Sequence, residues 1–320
     1  MNTAVATESP PHLSAHWRRS LVCPACRTPL SARFSCAKCG LATISLAGIL
    51  NFGVKDVFYE EHGLTATGRS FSSGLIDRVG LFMARHHYLH EICRAIRPGG
   101  AVVEIGCGGG TRFLGSRYDM LGVDVSTQSI RQASTVYGSV VQARVEQLPL
   151  ADASADGLIS SFTLEHFDDK AVGPCLAEMA RVVKPGGVMI HYFDLQCDSP
   201  FYQWAERQNW YQRIFIDQKG HLGIRRFETW IELFRKSGFR PRRARYMCKS
   251  WLQDASIWEA LIDNEMNPWA LRTARAITAL NKRMPYVVDV MTTLFQDIVE
   301  PVFPHSRAAK VILVLKRDVA

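Results

Sequence analysis

The sequence predicts an α/β protein: an open, mostly parallel sheet with helices on both faces, a small cysteine-rich module in front of it, and a helical insertion before its last strand. Three observations lead there. Between Ala101 and Phe193, short apolar runs alternate with helix-like segments, a pattern that calls for right-handed crossovers and parallel strands. The first of those runs opens straight into a glycine-rich turn. Four cysteines crowd into one short window near the start of the chain.

Taken in order, residues 1–20 are polar, with Ser9, Pro10 and Pro11, and are expected to form a mobile tail. They hold no apolar stretch of signal-peptide length. No later run reaches the roughly 18 apolar residues of a spanning helix; Pro285 to Phe303 comes nearest, and Asp289, Gln296, Asp297 and Glu300 interrupt it. A chain of 320 residues with 47% hydrophobic and 21% charged residues is not wholly disordered. The net charge of +8 is compatible with RNA, anionic lipid or phosphorylated partners and selects none of them.

Residues 21–54 form the cysteine-rich module, too small to fold on an apolar core alone. Cys23-Pro24-Ala25-Cys26 and Cys36-Ala37-Lys38-Cys39 are two C-x-x-C pairs separated by nine residues. Each pair sets two thiolates on one turn, and together they offer the tetrahedral sulfur site that suits zinc. All four positions are filled by protein, so the expected role is structural, and Gly40 fits a tight knuckle. A redox pair would occur singly beside a strand–helix unit. Four clustered cysteines, with the rest of the nine scattered, place the chain in a reducing cytoplasm.

The catalytic unit is expected over residues 55–247 and 306–320. A helical stretch from about Leu75 to Ile96 ends at Pro98-Gly99-Gly100. Strands are expected at Ala101 to Ile105, Met120 to Val125, Gly157 to Phe162, Val188 to Phe193, Arg242 to Met247 and Lys310 to Leu315. Helices fall at Ser126 to Tyr137, where Ser126 or Thr127 caps, at Ala171 to Val183, and at Glu228 to Gly238. Phe201 to Phe215, rich in aromatics, reads as a helical cover. Residues 248–305 are too long for a connection and read as a helical insertion.

The chemistry centres on Val102-Val103-Glu104-Ile105-Gly106-Cys107-Gly108-Gly109-Gly110-Thr111. Glycines serve where the backbone takes positive φ or must touch a ligand. A pyrophosphate would be repelled by Glu104, whereas an ammonium group would be attracted. The strand Leu121-Gly122-Val123-Asp124-Val125 ends in a carboxylate that can accept from two ribose hydroxyls.

With EQLPL, SADGLISSFTLEHFDD and EMARVVKPGGVMI added, the span from about Val102 to Ile190 resembles the class I S-adenosylmethionine-dependent methyltransferases, in the branch of quinone and sterol methylases. The resemblance implies a Rossmann-like sheet of seven strands. It implies that Glu104, Gly106, Gly108 and Gly110 line the methionine end of the cofactor, and that Asp124 binds the ribose with Val125 beside it. Val145 and Glu146 would lie by the adenine; Ser161 and Phe162 would close the pocket beneath the sulfonium. One position departs from the family: Arg144 stands where an acidic residue usually accepts from the adenine amine, and it offers no acceptor. The stretch Leu21 to Phe52 resembles zinc-ribbon partners of RNA and protein methyltransferases and the N-terminal zinc module of certain rRNA guanine methyltransferases. That implies either substrate holding or, the favoured reading, stabilisation.

Methyl transfer is an in-line displacement, and a base is needed only for a protonated acceptor. His166 and His221 are the favoured catalytic candidates, because methyltransferases of sugars and lipid-linked metabolites carry a similar Gly-His segment; His191 is a third, with a packed strand position as its alternative. Tyr59 is either a lid or a packing residue. The Asn-Pro-Pro-Tyr loop of amino-group methyltransferases is replaced by Ser160-Ser161-Phe162-Thr163, which points to a hydroxyl or carbon acceptor.

The expected acceptor is a small-molecule, glycan or lipid-linked metabolite. A tRNA or rRNA acceptor held by the ribbon and by Arg225, Arg226, Arg240, Arg242, Arg243 and Arg245 is the alternative, and a non-catalytic scaffold is a third. The tryptophans Trp204, Trp210, Trp251, Trp258 and Trp269 either wall a large pocket or pack a subdomain of their own, and Val287 to Phe303 suits peripheral membrane contact.

Overall fold

The computed structural model describes residues 13–46, 48–55, 86–250, 255–264 and 268–318. Tyr59, Trp251 and the first part of the helix expected from Leu75 lie outside them; the helix is described from His86 to Ala95.

Nine strands of the described residues form one sheet: β1 (Ile44–Leu46), β2 (Ile49–Asn51), β3 (Ala101–Ile105), β4 (Asp119–Asp124), β5 (Ser139–Gln142), β6 (Ala155–Ser161), β7 (Val183–Asp194), β8 (Phe239–Met247) and β9 (Lys310–Arg317). Their order is β1-β2-β5-β4-β3-β6-β7-β9-β8. The expected count of seven is therefore corrected to nine. Seven belong to the main α/β unit. The other two are a hairpin from the cysteine module, whose β2 runs parallel to β5 with Leu50 opposite Val141 and Asn51 opposite Gln142.

The five strands β5-β4-β3-β6-β7 are parallel, and β9 and β8 close the far edge antiparallel. The chain runs outward from β3 to β5 and then returns to β6 on the other side of β3. Strand order thus reverses between β3 and β6, where open α/β sheets leave a crevice at the carboxyl ends of the strands.

β3 shows why the sheet is buried on both faces. Val103 and Ile105 join one core with Leu121, Val123 and Leu158, under the helices Val172–Val182 and Phe227–Lys236. Val102 joins the opposite core with Met120, Ile159 and Ile190, under His86–Ala95 and Thr127–Ala133. Alternating side chains that are apolar on both faces are what a strand between two helical layers requires. His191 is one of these packed residues. It is fully buried, its Nδ1 lies 2.7 Å from Ser160 Oγ, and burial pushes its imidazole down to about 3.

The tail expected to extend to Ser20 is anchored sooner. Ala15–Ser20 forms a helix in which Ser14 Oγ accepts from the Trp17 amide, and the wholly buried Trp17 donates its Nε1–H to the Asp119 carbonyl at 3.1 Å. Six residues are too few for helical periodicity to show in the sequence. The cysteine module continues from this helix and is fixed to the main unit. Val22 N–H donates to the Pro149 carbonyl at 3.0 Å, and Arg27 meets Glu178 at 2.6 Å and the Leu148 carbonyl at 2.9 Å.

The insertion consists of helices Ala255–Asp263, Pro268–Arg283 and Pro285–Ile298. Of the two roles open to the aromatic segment, the structure shows mainly a core of its own: Tyr202, Trp210, Tyr211 and Phe215 pack on Ile257, Trp258 and Leu261. Trp269 is exposed, as are Val287, Met291, Leu294 and Ile298 along one side of the last helix. Among the described residues no helix is long and apolar enough to cross a membrane. Five of the six arginines considered for phosphate contact are already matched by carboxylates of this chain: Arg225 by Asp169, Arg226 by Asp198, Arg240 by Asp318, Arg243 by Glu91 and Arg245 by Asp297.

Candidate active site

A cavity of about 890 Å³ lies over the carboxyl ends of β3, β4 and β6, and all twelve residues singled out as cofactor-binding or catalytic line it. At its centre β3 turns through Gly106, Gly108 and Gly110, all with positive φ. Gly106 has no substitute: at φ +58° a Cβ there would sit 2.4 Å from Thr163 Oγ1.

Glu104, buried at the end of β3, accepts the Tyr137 hydroxyl, and that hydroxyl in turn accepts the Thr111 amide at 2.9 Å. Tyr137 therefore ties the acid to the far end of the glycine turn. Burial, followed by the nearby Glu104 charge, holds its phenol well above the ordinary value, so it stays a donor. Nothing in the sequence around Tyr137 signals this contact.

Asp124 ends β4. One carboxylate oxygen accepts from Gly108 N–H at 2.8 Å and the other from Ser126 N–H at 2.9 Å. The acid thus fixes the glycine turn as well as facing the cavity. Val125 follows it, and its carbonyl accepts from Gln142 Nε2 at 2.8 Å. Across the cavity mouth, Val145 and Glu146 lie in a single 3-10 turn, and Arg144 pairs with Glu146 at 3.0 Å on the surface. The departure at Arg144 is therefore a charge held by its neighbour.

Ser161 ends β6 and Phe162 follows it. Phe162 has φ +55°, a conformation that costs a side-chain-bearing residue about 1–3 kcal/mol. It is held there by donating its N–H to the Tyr192 carbonyl at 2.7 Å, with its ring 4.6 Å from that of Tyr192 and the Lys310 ammonium 5.2 Å above it. Strain of this kind at a cavity wall marks a position where the surrounding structure dictates the backbone.

His166 sits in the short turn after Phe162, and His221 comes from the loop after the π-helical turn Gln212–Gln218. Their rings meet edge to face with centroids 5.0 Å apart. His166 Nδ1 faces the Gly220 carbonyl at 3.2 Å, and burial holds its imidazole below the ordinary value. His221 Nδ1 lies 3.6 Å from Asp194 Oδ2, at the end of β7. Sequence reasoning missed two acids here. Asp194 is one; Glu165, wholly buried beside His166, is the other. Burial first, and the Asp194 charge second, push the Glu165 carboxyl well above the carboxylate range. The sequence did hold a signal for Glu165, its place beside His166 in Leu164-Glu165-His166.

The four cysteines of the module also converge. Cys23 and Cys39 sulfurs lie 3.4 Å apart, as do those of Cys26 and Cys36, and all four lie within 4.8 Å of one another. All are free thiols. The two pairs fold alike: Arg27 and Gly40, each directly after a second cysteine, have positive φ and donate back to Cys23 and Cys36 carbonyls. Tetrahedral zinc with sulfur ligands at about 2.3 Å needs sulfurs about 3.8 Å apart, so the donor set fits that ion.

Sheet order and crevice define a methyltransferase-like α/β fold. Residues 103–191 match the family described as a methyltransferase domain. Among similar curated proteins, the O-methyltransferase resE of Aspergillus sclerotiorum is 30% identical over 154 residues, covering 43% of this chain and 54% of that protein. The 2-methyl-6-phytyl-1,4-hydroquinone methyltransferase of a Synechocystis strain is 29% identical over 153 residues, covering 44% of this chain and 46% of that protein. The chain thus spans about half the length of these relatives. Among solved structures, phosphoethanolamine N-methyltransferase 2 of Haemonchus contortus, in complex with S-adenosyl-L-methionine, superposes with a TM-score of 0.49 at 14% identity, over 73% of this chain and 53% of that one.

Proposed function

We propose that the chain transfers a methyl group from S-adenosylmethionine to a hydroxyl or carbon of a small-molecule, glycan or lipid-linked metabolite. The observation that carries this reading is the single cavity that collects the glycine turn, Glu104, Asp124, Phe162 and the two histidines. The names of the relatives, an O-methyltransferase and a hydroquinone methyltransferase, support a small acceptor.

The cofactor supplies a methyl group already activated on a sulfonium. The chain's part is to bind, orient and handle a proton. Glu104, steadied by Tyr137, faces the ammonium end, and Asp124 accepts from the ribose while pinning Gly108. Val145 and Glu146 flank the adenine, whose polar edge is met by backbone groups of that turn in place of the acid that Arg144 replaces. Ser161 and Phe162 line the reacting end. His166 and His221 stand where an acceptor hydroxyl must shed its proton. The four cysteines hold one structural zinc, and nine free thiols suit a reducing, cytoplasmic setting.

Titration calorimetry with S-adenosylhomocysteine tests the reading. Micromolar binding is expected, and an intact chain that fails to bind would leave only a scaffold of this fold. Phe162→Gly separates conformation from contact. Glycine accepts φ +55° without strain, so the melting temperature is expected to hold within a few degrees. Affinity for S-adenosylhomocysteine is expected to fall severalfold as the wall is lost. A variant that binds as well as the parent would remove Phe162 from the site.

A further inference from the structure

One buried side chain, next to the histidines that line the cavity, is left over by the reaction as described. Glu165 is wholly buried, and neither carboxylate oxygen has a hydrogen-bond partner among the described residues. Protonation alone does not resolve this, because the neutral acid would still carry an O–H without an acceptor and a carbonyl without a donor. A second carboxylate, Asp194, is close enough to act on Glu165. Among the described residues, the Lys310 ammonium lies 4.0 Å from Asp194 Oδ1.

The two histidines lie close to Glu165. One nitrogen of each and one Glu165 oxygen lie within 4.8 Å of one another. Two imidazoles and a carboxylate form the donor set taken by zinc, manganese or iron(II), and both histidines line the cavity, from which further ligands could come. The outer contact of His166 suits the same role. His166 Nδ1 faces the Gly220 carbonyl at 3.2 Å, whereas His221 Nδ1 stands 3.6 Å from Asp194, beyond hydrogen-bond reach. For His166, a carbonyl behind one ring nitrogen favours the tautomer in which the other nitrogen is a lone-pair donor, as in metal-bound histidines.

We propose that Glu165, His166 and His221 hold one divalent transition-metal ion at the edge of the cavity, where the two histidines line it, separate from the four-cysteine site. Its use rests on the methyl-transfer reading. An acceptor hydroxyl bound to the ion loses its proton to water near neutral pH. The oxygen then forms a bond to the methyl carbon as the carbon–sulfur bond breaks and S-adenosylhomocysteine leaves. The histidines act through the ion rather than as free bases.

The test is Co²⁺ titration of the full chain with its four-cysteine site loaded with zinc. One saturable equivalent is expected, with weak visible d–d bands and without the near-ultraviolet thiolate charge transfer that cobalt at the cysteines would give. Glu165→Gln and His221→Ala are each expected to weaken it by more than about tenfold, the effect of disturbing even an outer-shell partner. Should Glu165→Gln fail to fold, His166→Ala and His221→Ala, at partly exposed positions, carry the same comparison. Absence of a thiolate-free cobalt signal, or a signal that these variants leave unchanged, overturns the site. S-adenosylhomocysteine calorimetry on the same preparations separates the two readings. Cofactor binding without cobalt returns proton transfer to His221 backed by Asp194. Cobalt binding without cofactor keeps the metal site and removes methyl transfer.

Discussion

Replacing Asp124 with alanine is expected to weaken S-adenosylhomocysteine binding about a hundredfold, as read by titration calorimetry. Hydrogen bonds to a charged acceptor contribute about 1.5–3 kcal/mol each, and about 1.4 kcal/mol is a factor of ten. Two ribose hydroxyls given up by one carboxylate therefore account for the loss. A second effect acts in the same direction. The carboxylate also receives the Gly108 and Ser126 amides at 2.8 and 2.9 Å, so alanine releases the glycine turn from β4. Asp124→Asn keeps one acceptor oxygen and is expected to fall between the two. An alanine variant with parental affinity would place the ribose elsewhere and remove the main support for the cofactor assignment.

The second large effect is expected from the cysteines. Freshly purified protein should contain one zinc per chain by elemental analysis, and Cys36→Ser should lose it. Structural zinc supplies about 10–16 kcal/mol of apparent binding energy to small modules, and here the module is continuous with the rest of the fold. Two routes lead from it to the cofactor cavity. Along the first, Asn51 Nδ2 donates to Gln142 Oε1 at 3.0 Å, and Gln142 donates to the Val125 carbonyl beside Asp124. Along the second, Arg27, on the first knuckle, holds the Leu148 carbonyl and Glu178, and Glu178 accepts the Leu148 amide at 2.9 Å just after the turn that carries Val145 and Glu146. Loss of zinc is therefore expected to lower the melting temperature by on the order of ten degrees and to weaken cofactor binding as well. A zinc-free variant that melts and binds like the parent would make the module a passenger.

The sequence made the central strands legible because their signals are local. β3, its glycine turn and β4 form one unbroken run of apolar residues, glycines and an acid. The last strand, Lys310–Arg317, is a plain apolar run. The hairpin Ile44–Asn51 was not legible as part of the sheet. Its two strands have three residues each, and their partner β5 lies far along the chain. The aromatic segment and the insertion gave no way to tell a pocket wall from a private core, since both need the same residues; packing decided it. Within the site, the residues of the glycine turn and strand ends that line the cavity were readable from motifs. Contacts between distant loops were not: Tyr137 on Glu104, or the cluster of Glu165, Asp194 and His221, which come from three separate segments.

The pairing of β2 with β5 also sets an order of events during synthesis. The two cysteine knuckles are close in sequence and can close on a metal as soon as they emerge. The hairpin then has to wait, because Asn51 and Gln142 are 91 residues apart. At about 5–20 residues per second, that interval lasts roughly 5–20 seconds. Through it the nascent chain presents β2 as an open strand edge, the feature most apt to pair with a neighbouring chain. The arrangement that makes the finished module part of the enzyme body also gives the growing chain its most exposed moment.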